Sequence, residues 1–306
     1  MKSRLLILGL LATLLTGCSL DDDRDECCYD AILYFHETVN GVDQFKRDIS
    51  SLRHFVYDTN DNFYSEVESD SGDLQRLMLN GLPEGEYTVI TIANASDEHT
   101  QIVEGRTIEE LKVLMAGKQA DDSYANADQL FWNMQKLRIV KNEQRTILCA
   151  LSNIHCHLHV YVKWRSLPHY VGNFTMRLYD VPADYLAGSY YTMTRNSVYY
   201  FPVETKRLVE HSKEVSPYNF ELDGELITHR WSDESIPALQ IFNGSESVTG
   251  LIPLERAFSE WMWYPSRQPI QDYSIKVEID DQGTAYVNRW TPGEILDWED
   301  GGIIGR

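Results

Sequence analysis

A cysteine preceded by small and aliphatic residues is a place where chemistry can be done on the chain itself, and Leu15-Thr16-Gly17-Cys18 is such a stretch. It follows a basic start, Lys2 and Arg4, and an apolar run from Leu5 to Leu15. That run is too short to cross a bilayer, which takes about 20 apolar residues, but it suits the apolar region of a secretory signal. The order and spacing read as a bacterial lipobox, with cleavage after Gly17 and a lipid on Cys18. The small residues at 16 and 17 let a peptidase reach the backbone beside a cysteine that already carries lipid. Each buried methylene contributes roughly 0.8 kcal/mol and one acyl chain holds only marginally, so a cysteine bearing several chains is released very slowly.

Three other groupings invite a chemical reading. His155, His157 and His159 would share one face of a strand, with alternate residues about 6.5 to 7 Å apart, and zinc could use two of them with a ligand from elsewhere. The opposite face, Cys156, Leu158, Val160, Val162 and Trp164, is a core stripe. The histidines are then the solvent side of a half-buried strand, and no metal is expected. Asp58-Thr59-Asn60-Asp61-Asn62 begins like a calcium loop, but Phe63 stands where glycine is required and Ser69 where glutamate is. A hairpin turn accounts for it better.

Cys149 and Cys156 flank ALSNIH in a chain whose leader implies an oxidising location. A two-residue turn at Ser152-Asn153 would set the two cysteines opposite each other and permit a disulfide. One long strand with a kink would leave two buried thiols instead. The residues leave both open. No nucleophile elbow, Walker loop, zinc-protease helix or dinucleotide fingerprint occurs, so no catalytic residue and no cofactor are assigned. Trp261, Trp263, Trp290 and Trp298 near the C-terminus could stack on sugar rings. That sets up a competing reading as a surface glycan-binding lipoprotein of a polysaccharide uptake system.

The elements that must carry these residues are short strands with turn punctuation. Ala31–Phe35, residues 52–58, Leu74–Leu79 and YTVITIANA read as strands in the first half. Thr107-Ile108-Glu109-Glu110 reads as a capping box opening a helix through LKVLM. HCHLHVYVKW, FTMRLYDV, SVYYFPV, PALQIFN, SVTGLIPL, YSIKVEI and TAYVNRW follow as strands, with a helix at PLERAFSEW. The chain carries 27 basic and 47 acidic residues, a net charge of −20. Losing Lys2 and Arg4 with the leader leaves 25 against 47, or −22. Such a surface repels phosphate backbones, which argues against nucleic acid, and gives no electrostatic help at an anionic membrane, so attachment there must be covalent. The expected division is a signal peptide at 1–17, a lipidated acidic tether at 18–28, one β-sandwich at 29–142 and a second at 143–306.

The order of these features resembles a known family. A lipobox and acidic tether are followed by AILYF, HFVYDTNDNFYSE and LMLNGLPEGEYTVITIANA. This is similar to the FimB-type fimbrial anchor, or minor fimbrillin, lipoproteins of Bacteroidales type V pili. Val56, Tyr57 and Asp58 fit one family pattern, with Asn62 in place of its glycine. Leu82, Gly85, Tyr87 and Asn94 fit another. The resemblance implies a mainly β fold of two tandem transthyretin-like sandwiches with one or two short helices, and no enzymatic activity. It also implies an accessory pilus subunit, lipid-held and facing the cell surface, that joins pilin subunits by strand complementation, anchors the shaft and limits its length. An incomplete sandwich exposes backbone donors and an apolar groove that an incoming strand satisfies.

Overall fold

A computed structural model describes residues 31–69, 72–165, 173–188, 192–206 and 220–291. The leader, Cys18, the tether with Cys27 and Cys28, Trp298 and the C-terminal tail lie outside the described residues. The chain is mainly β, built as β-sandwich domains with a few short helices.

The N-terminal sandwich begins with β1 (Ala31–His36), a small hairpin of β2 (Thr38–Val39) and β3 (Val42–Asp43), and the helical turn α1 (Phe45–Asp48). It continues with β4 (Leu52–Tyr57), β5 (Phe63–Glu68), β6 (Arg76–Leu79) and β7 (Gly85–Ala93). The chain then leaves this sandwich. Between residues 94 and 130 it forms β8 (Thr100–Val103), a single 3-10 turn at Ile108–Glu110, β9 (Lys112–Met115) and β10 (Ser123–Tyr124). It returns as β11 (Phe131–Ile139), β12 (Arg145–Ala150) and β13 (Ser152–Asn153). One sheet runs β12-β1-β6 and the facing one β13-β11-β7-β4-β5. Leu33, Phe35, Val56, Leu77, Val89 and Cys149 fill the space between them.

The second sandwich contains β14 (His155–Trp164), β15 (Phe174–Leu186), β16 (Thr192–Pro202), β17 (Glu204–Lys206) and β18 (Phe220–His229). It is completed by β19 (Ala238–Asn243), β20 (Glu246–Ser247), β21 (Ile252–Pro253), helix α2 (Glu255–Glu260), β22 (Gln271–Ile279) and β23 (Ala285–Arg289). One sheet runs β17-β18-β14-β22-β23. The other is built on β16, β15 and β19 and takes in β8, β9 and β10 from the excursion. Leu158, Val160, Met176, Leu178, Ile241 and Val277 lie in its core.

Two expectations change here, and one open alternative closes. The capping box does not open a helix. Thr107 makes no cap, although Glu110 accepts from the Arg106 amide at 2.8 Å. After one turn, LKVLM becomes β9, whose alternating burial pairs it with β8 on one side and with Asp184–Leu186 on the other. Available strand partners outweigh a helical signal of this length. Arg145–Ala150, assigned by sequence to the second sandwich, is the parallel partner of β1 in the first. The passage between cores therefore falls at Leu151–Ile154. Finally, Ser152-Asn153 does not turn back as a hairpin. It pairs with Phe131-Trp132 while the chain runs on into β14.

β4 is covered on both sides. Leu52 and Val56 face the inner core, while Phe55 and Tyr57 face a third cluster with Ile90, Ile92, Ile108, Leu111, Val113 and Ala187. That cluster is the seam between the sandwiches. The excursion packs on the outer face of the N-terminal sheet, and Arg53 joins it there, bonding Glu66 at 2.7 Å and Glu104 at 3.3 Å.

Candidate functional site

The residue with the clearest chemistry, Cys18, lies outside the described residues. What the structure describes begins at Ala31, the first described residue after it. Ala31 is the first residue of β1, and β1 is the central strand of its sheet. On one side Ala31–His36 is in parallel register with Arg145–Ala150, residue for residue. On the other, Ala31–Tyr34 runs antiparallel to Leu79–Arg76. Phe35 N–H donates to the Gln75 carbonyl and Leu151 N–H to the His36 carbonyl, both at 2.8 Å. Ala31, Leu33 and Phe35 are buried against the core, and Phe35 stacks on His54 at 5.0 Å. Among the described residues β1 is therefore flanked on both sides, and the sheet ends at β12 and β6.

The strip joining the sandwiches explains both cysteines. Cys149 sits on β12 opposite Phe35 and faces the N-terminal core. Cys156 sits on β14 and faces the second core. Both are buried free thiols, and burial pushes the Cys149 thiol up to about 12 and that of Cys156 well above its ordinary value. The disulfide alternative is not realised, because the strand that carries one cysteine into the first core delivers the other into the second. Neither thiol has the thiolate character that reactivity requires.

The three histidines of β14 do not act as a set. His155 is buried, its Nδ1 2.9 Å from the Leu130 carbonyl and its ring edge-on to Phe131, because the first sandwich covers this end of the strand. The solvent-side reading therefore fails for His155. His157 lies 3.1 Å from Asp272 and 3.8 Å from Glu225. The Asp272 hydrogen bond raises His157 above the usual imidazole range, and His157 in turn holds Asp272 below the usual carboxylate range. His159 pairs with Asp223 at 2.5 Å, and its ring meets Trp290 edge-on. Among the described residues no group of three or more His, Cys, Asp or Glu side chains is arranged to hold a metal ion.

Asp58 also has a structural role. Its Oδ1 accepts from the Asn60 and Asn62 amides at 2.8 and 3.0 Å, which closes the turn and, chiefly through the Asn62 amide, holds its carboxyl low. The carboxylate that would open a calcium loop is occupied by backbone. The described tryptophans form no platform. Trp231 stacks on Phe258 in the core, while Trp261 and Trp263 are half-buried and packed beside Phe258 and Arg289. Trp290 stacks on Tyr161. Among the described residues no tryptophan is exposed.

Positions that sequence marked only as a pattern now have reasons. Tyr87 donates its hydroxyl to the Pro83 carbonyl at 3.0 Å, closing the turn that starts β7. Asn94, at φ 62°, ends β7 and gathers the neighbouring turns. Its Oδ1 accepts from the Ser50 amide at 2.8 Å and the Ser51 amide at 3.4 Å, and its Nδ2 donates to the carbonyls of Asp48 at 2.7 Å and Gln129 at 3.0 Å.

The model of the fimbrillin-A associated anchor proteins Mfa1 and Mfa2 matches residues 25–292. The chain belongs to this family. Solved structures share the fold of these anchor proteins. The fimbrial anchor protein Mfa2 of Porphyromonas gingivalis superposes with a TM-score of 0.61 at 15% identity, covering 85% of this chain and 97% of that one. A Bacteroides thetaiotaomicron protein described as a candidate adhesin gives 0.64 at 15% identity, with 85% and 96% covered. Another from the same organism, described as a candidate polysaccharide-binding protein, gives 0.65 at 14% identity, with 86% and 98% covered. Among curated proteins nothing matches. Family membership makes this chain an accessory subunit of fimbriae, with fimbrillin subunits as partners and a surface-associated place in the cell envelope.

Proposed function

We propose that this chain is the lipid-held base of a fimbrium, fixed to the outer membrane through Cys18 with its sandwiches on the outside of the cell, and that it takes no part in catalysis. The family match from residue 25 to 292 carries this reading. Three further observations support it. Leu15-Thr16-Gly17-Cys18 has the order and spacing of a lipobox. No described helix is long and apolar enough to cross a membrane. His157 is paired with Asp272, His54 lies within hydrogen-bond distance of the Thr91 and Ser69 hydroxyls, and both thiols are buried in the cores, so each of these groups has a structural setting.

Fimbrillin subunits join the anchor by strand complementation at a sheet edge, where unpaired backbone groups accept a further strand. Because the anchor sits at the membrane and ends the series of subunits, it also limits how long a shaft grows. The glycan-binding alternative needs a flat row of exposed aromatic rings, and the described tryptophans are packed instead. The reading is tested by feeding cells an alkyne-bearing fatty acid. The wild-type chain should take up label and fractionate with outer membrane, and Cys18→Ala should do neither. A soluble, unlabelled wild-type chain would contradict the proposal.

A further inference from the structure

A base subunit works under tension, and on the anchoring reading the tension enters at one defined point. With the lipid on Cys18, N-terminal to Ala31, the first described residue that force meets is Ala31, the N-terminal end of β1. With the shaft held on the second sandwich, force leaves toward it through Ala150, the C-terminal end of β12, because Leu151–Ile154 lead directly into β14. β1 and β12 are parallel neighbours, with Ala31 opposite Arg145 and His36 opposite Ala150. The two ends that carry load are therefore at opposite ends of the pair and are pulled apart along the strand axis.

We propose that β1 is a shear clamp that carries tension between the lipid and the shaft. When two strands slide along their common axis, every rung of the ladder is stretched together. When a strand is lifted from one end, the rungs give way one after another. The parallel ladder has six register pairs, Ala31 to His36. Four more pairs hold the other side of β1 against β6, so sliding β1 out shears both ladders together. The same movement drags Leu33 and Phe35, each with no exposed surface, out of the core. The other crossings to the second sandwich support this direction of load. Ala93, ending β7, and Phe131, starting β11, are paired with each other. Leu52 faces that same Ala93, and Asn153, which follows β12, faces Phe131. All three crossings thus gather at the end where β1 finishes, away from Ala31.

The test pulls single molecules of the mature chain in an optical trap. One handle is ligated into the exposed turn at Asp281, in the second sandwich. The other is ligated either to the N-terminus, in place of the lipid, or at Val42, an exposed residue in the hairpin just after β1. The sequence and native stability are nearly the same in both constructions, and only the end at which β1 is loaded changes. Forced unfolding follows the height of the unfolding barrier, so the N-terminal geometry should rupture at roughly twice the force of the Val42 geometry, or more. Equal forces, or a weaker N-terminal geometry, would overturn the clamp. Membrane attachment is scored separately in cells, so a failed clamp and a failed anchor give different results.

Discussion

Asn94 shows how much one side chain can hold together. It bonds the backbone of two turns at once and sits at positive φ, a conformation asparagine tolerates better than most residues. Asn94→Ala leaves the Ser50 amide and the Asp48 and Gln129 carbonyls without this partner, and should lower stability by about 1–3 kcal/mol. A shift in denaturant midpoint with an unchanged slope would show it. The buried histidines set the response to acid. Burial holds His54 down to about 3 and His229 down to about 4, and neither ring nitrogen of His229 has a hydrogen-bond partner. As pH falls below about 6.5 the unfolded chain binds protons that the folded chain refuses, so stability declines across that window. His229→Leu removes one such group and should lose less stability than wild type between about pH 7 and pH 5. His157 acts in the opposite sense. Its raised affinity stabilises the fold below the ordinary imidazole range, and that contribution is lost as pH rises through its folded value. Asp272, held low by the same bond, contributes above the ordinary carboxylate range and loses that as pH falls, so the pair works best in mildly acidic conditions. These roles were partly legible in the residues. The pattern around Asn94 was visible without its hydrogen bonds, while the burial of His155 depends on the other sandwich.

Most strands announce themselves by alternation, and β1, β4, β7, β14 and β22 lie where the residues put them. The failures share one cause. LKVLM looked helical because its strand partners lie on β8 and on Asp184–Leu186, and the second cover of β4 comes from the excursion between residues 94 and 130. Local pattern does not reveal a partner contributed by a distant part of the chain. The cysteines obey the same rule, since their seven-residue separation suited a hairpin until β12 found β1. Two buried free thiols predict a simple chemical result. Native protein should resist alkylation at Cys149 and Cys156, and unfolded protein should modify at both without prior reduction. A digest that recovers a Cys149–Cys156 cross-linked peptide would contradict the strand path described here.

At the scale of the whole molecule, the two sandwiches are woven together. Strands β8, β9 and β10 extend the second sandwich from within the first, and Arg177 adds an ion pair to Asp121 at 2.7 Å. Composition and turn spacing gave two β units and the order of motifs gave their family, but no local signal marked a segment that crosses over and returns. Such a body suits the force-bearing role proposed for it. The most direct measurement compares cells carrying wild-type protein with cells carrying Cys18→Ala by electron microscopy, counting fimbriae on cells and free in the medium. The account predicts that the variant sheds its fimbriae or releases long detached ones while subunit synthesis is unchanged. Fimbriae that remain attached at wild-type number and length would contradict it.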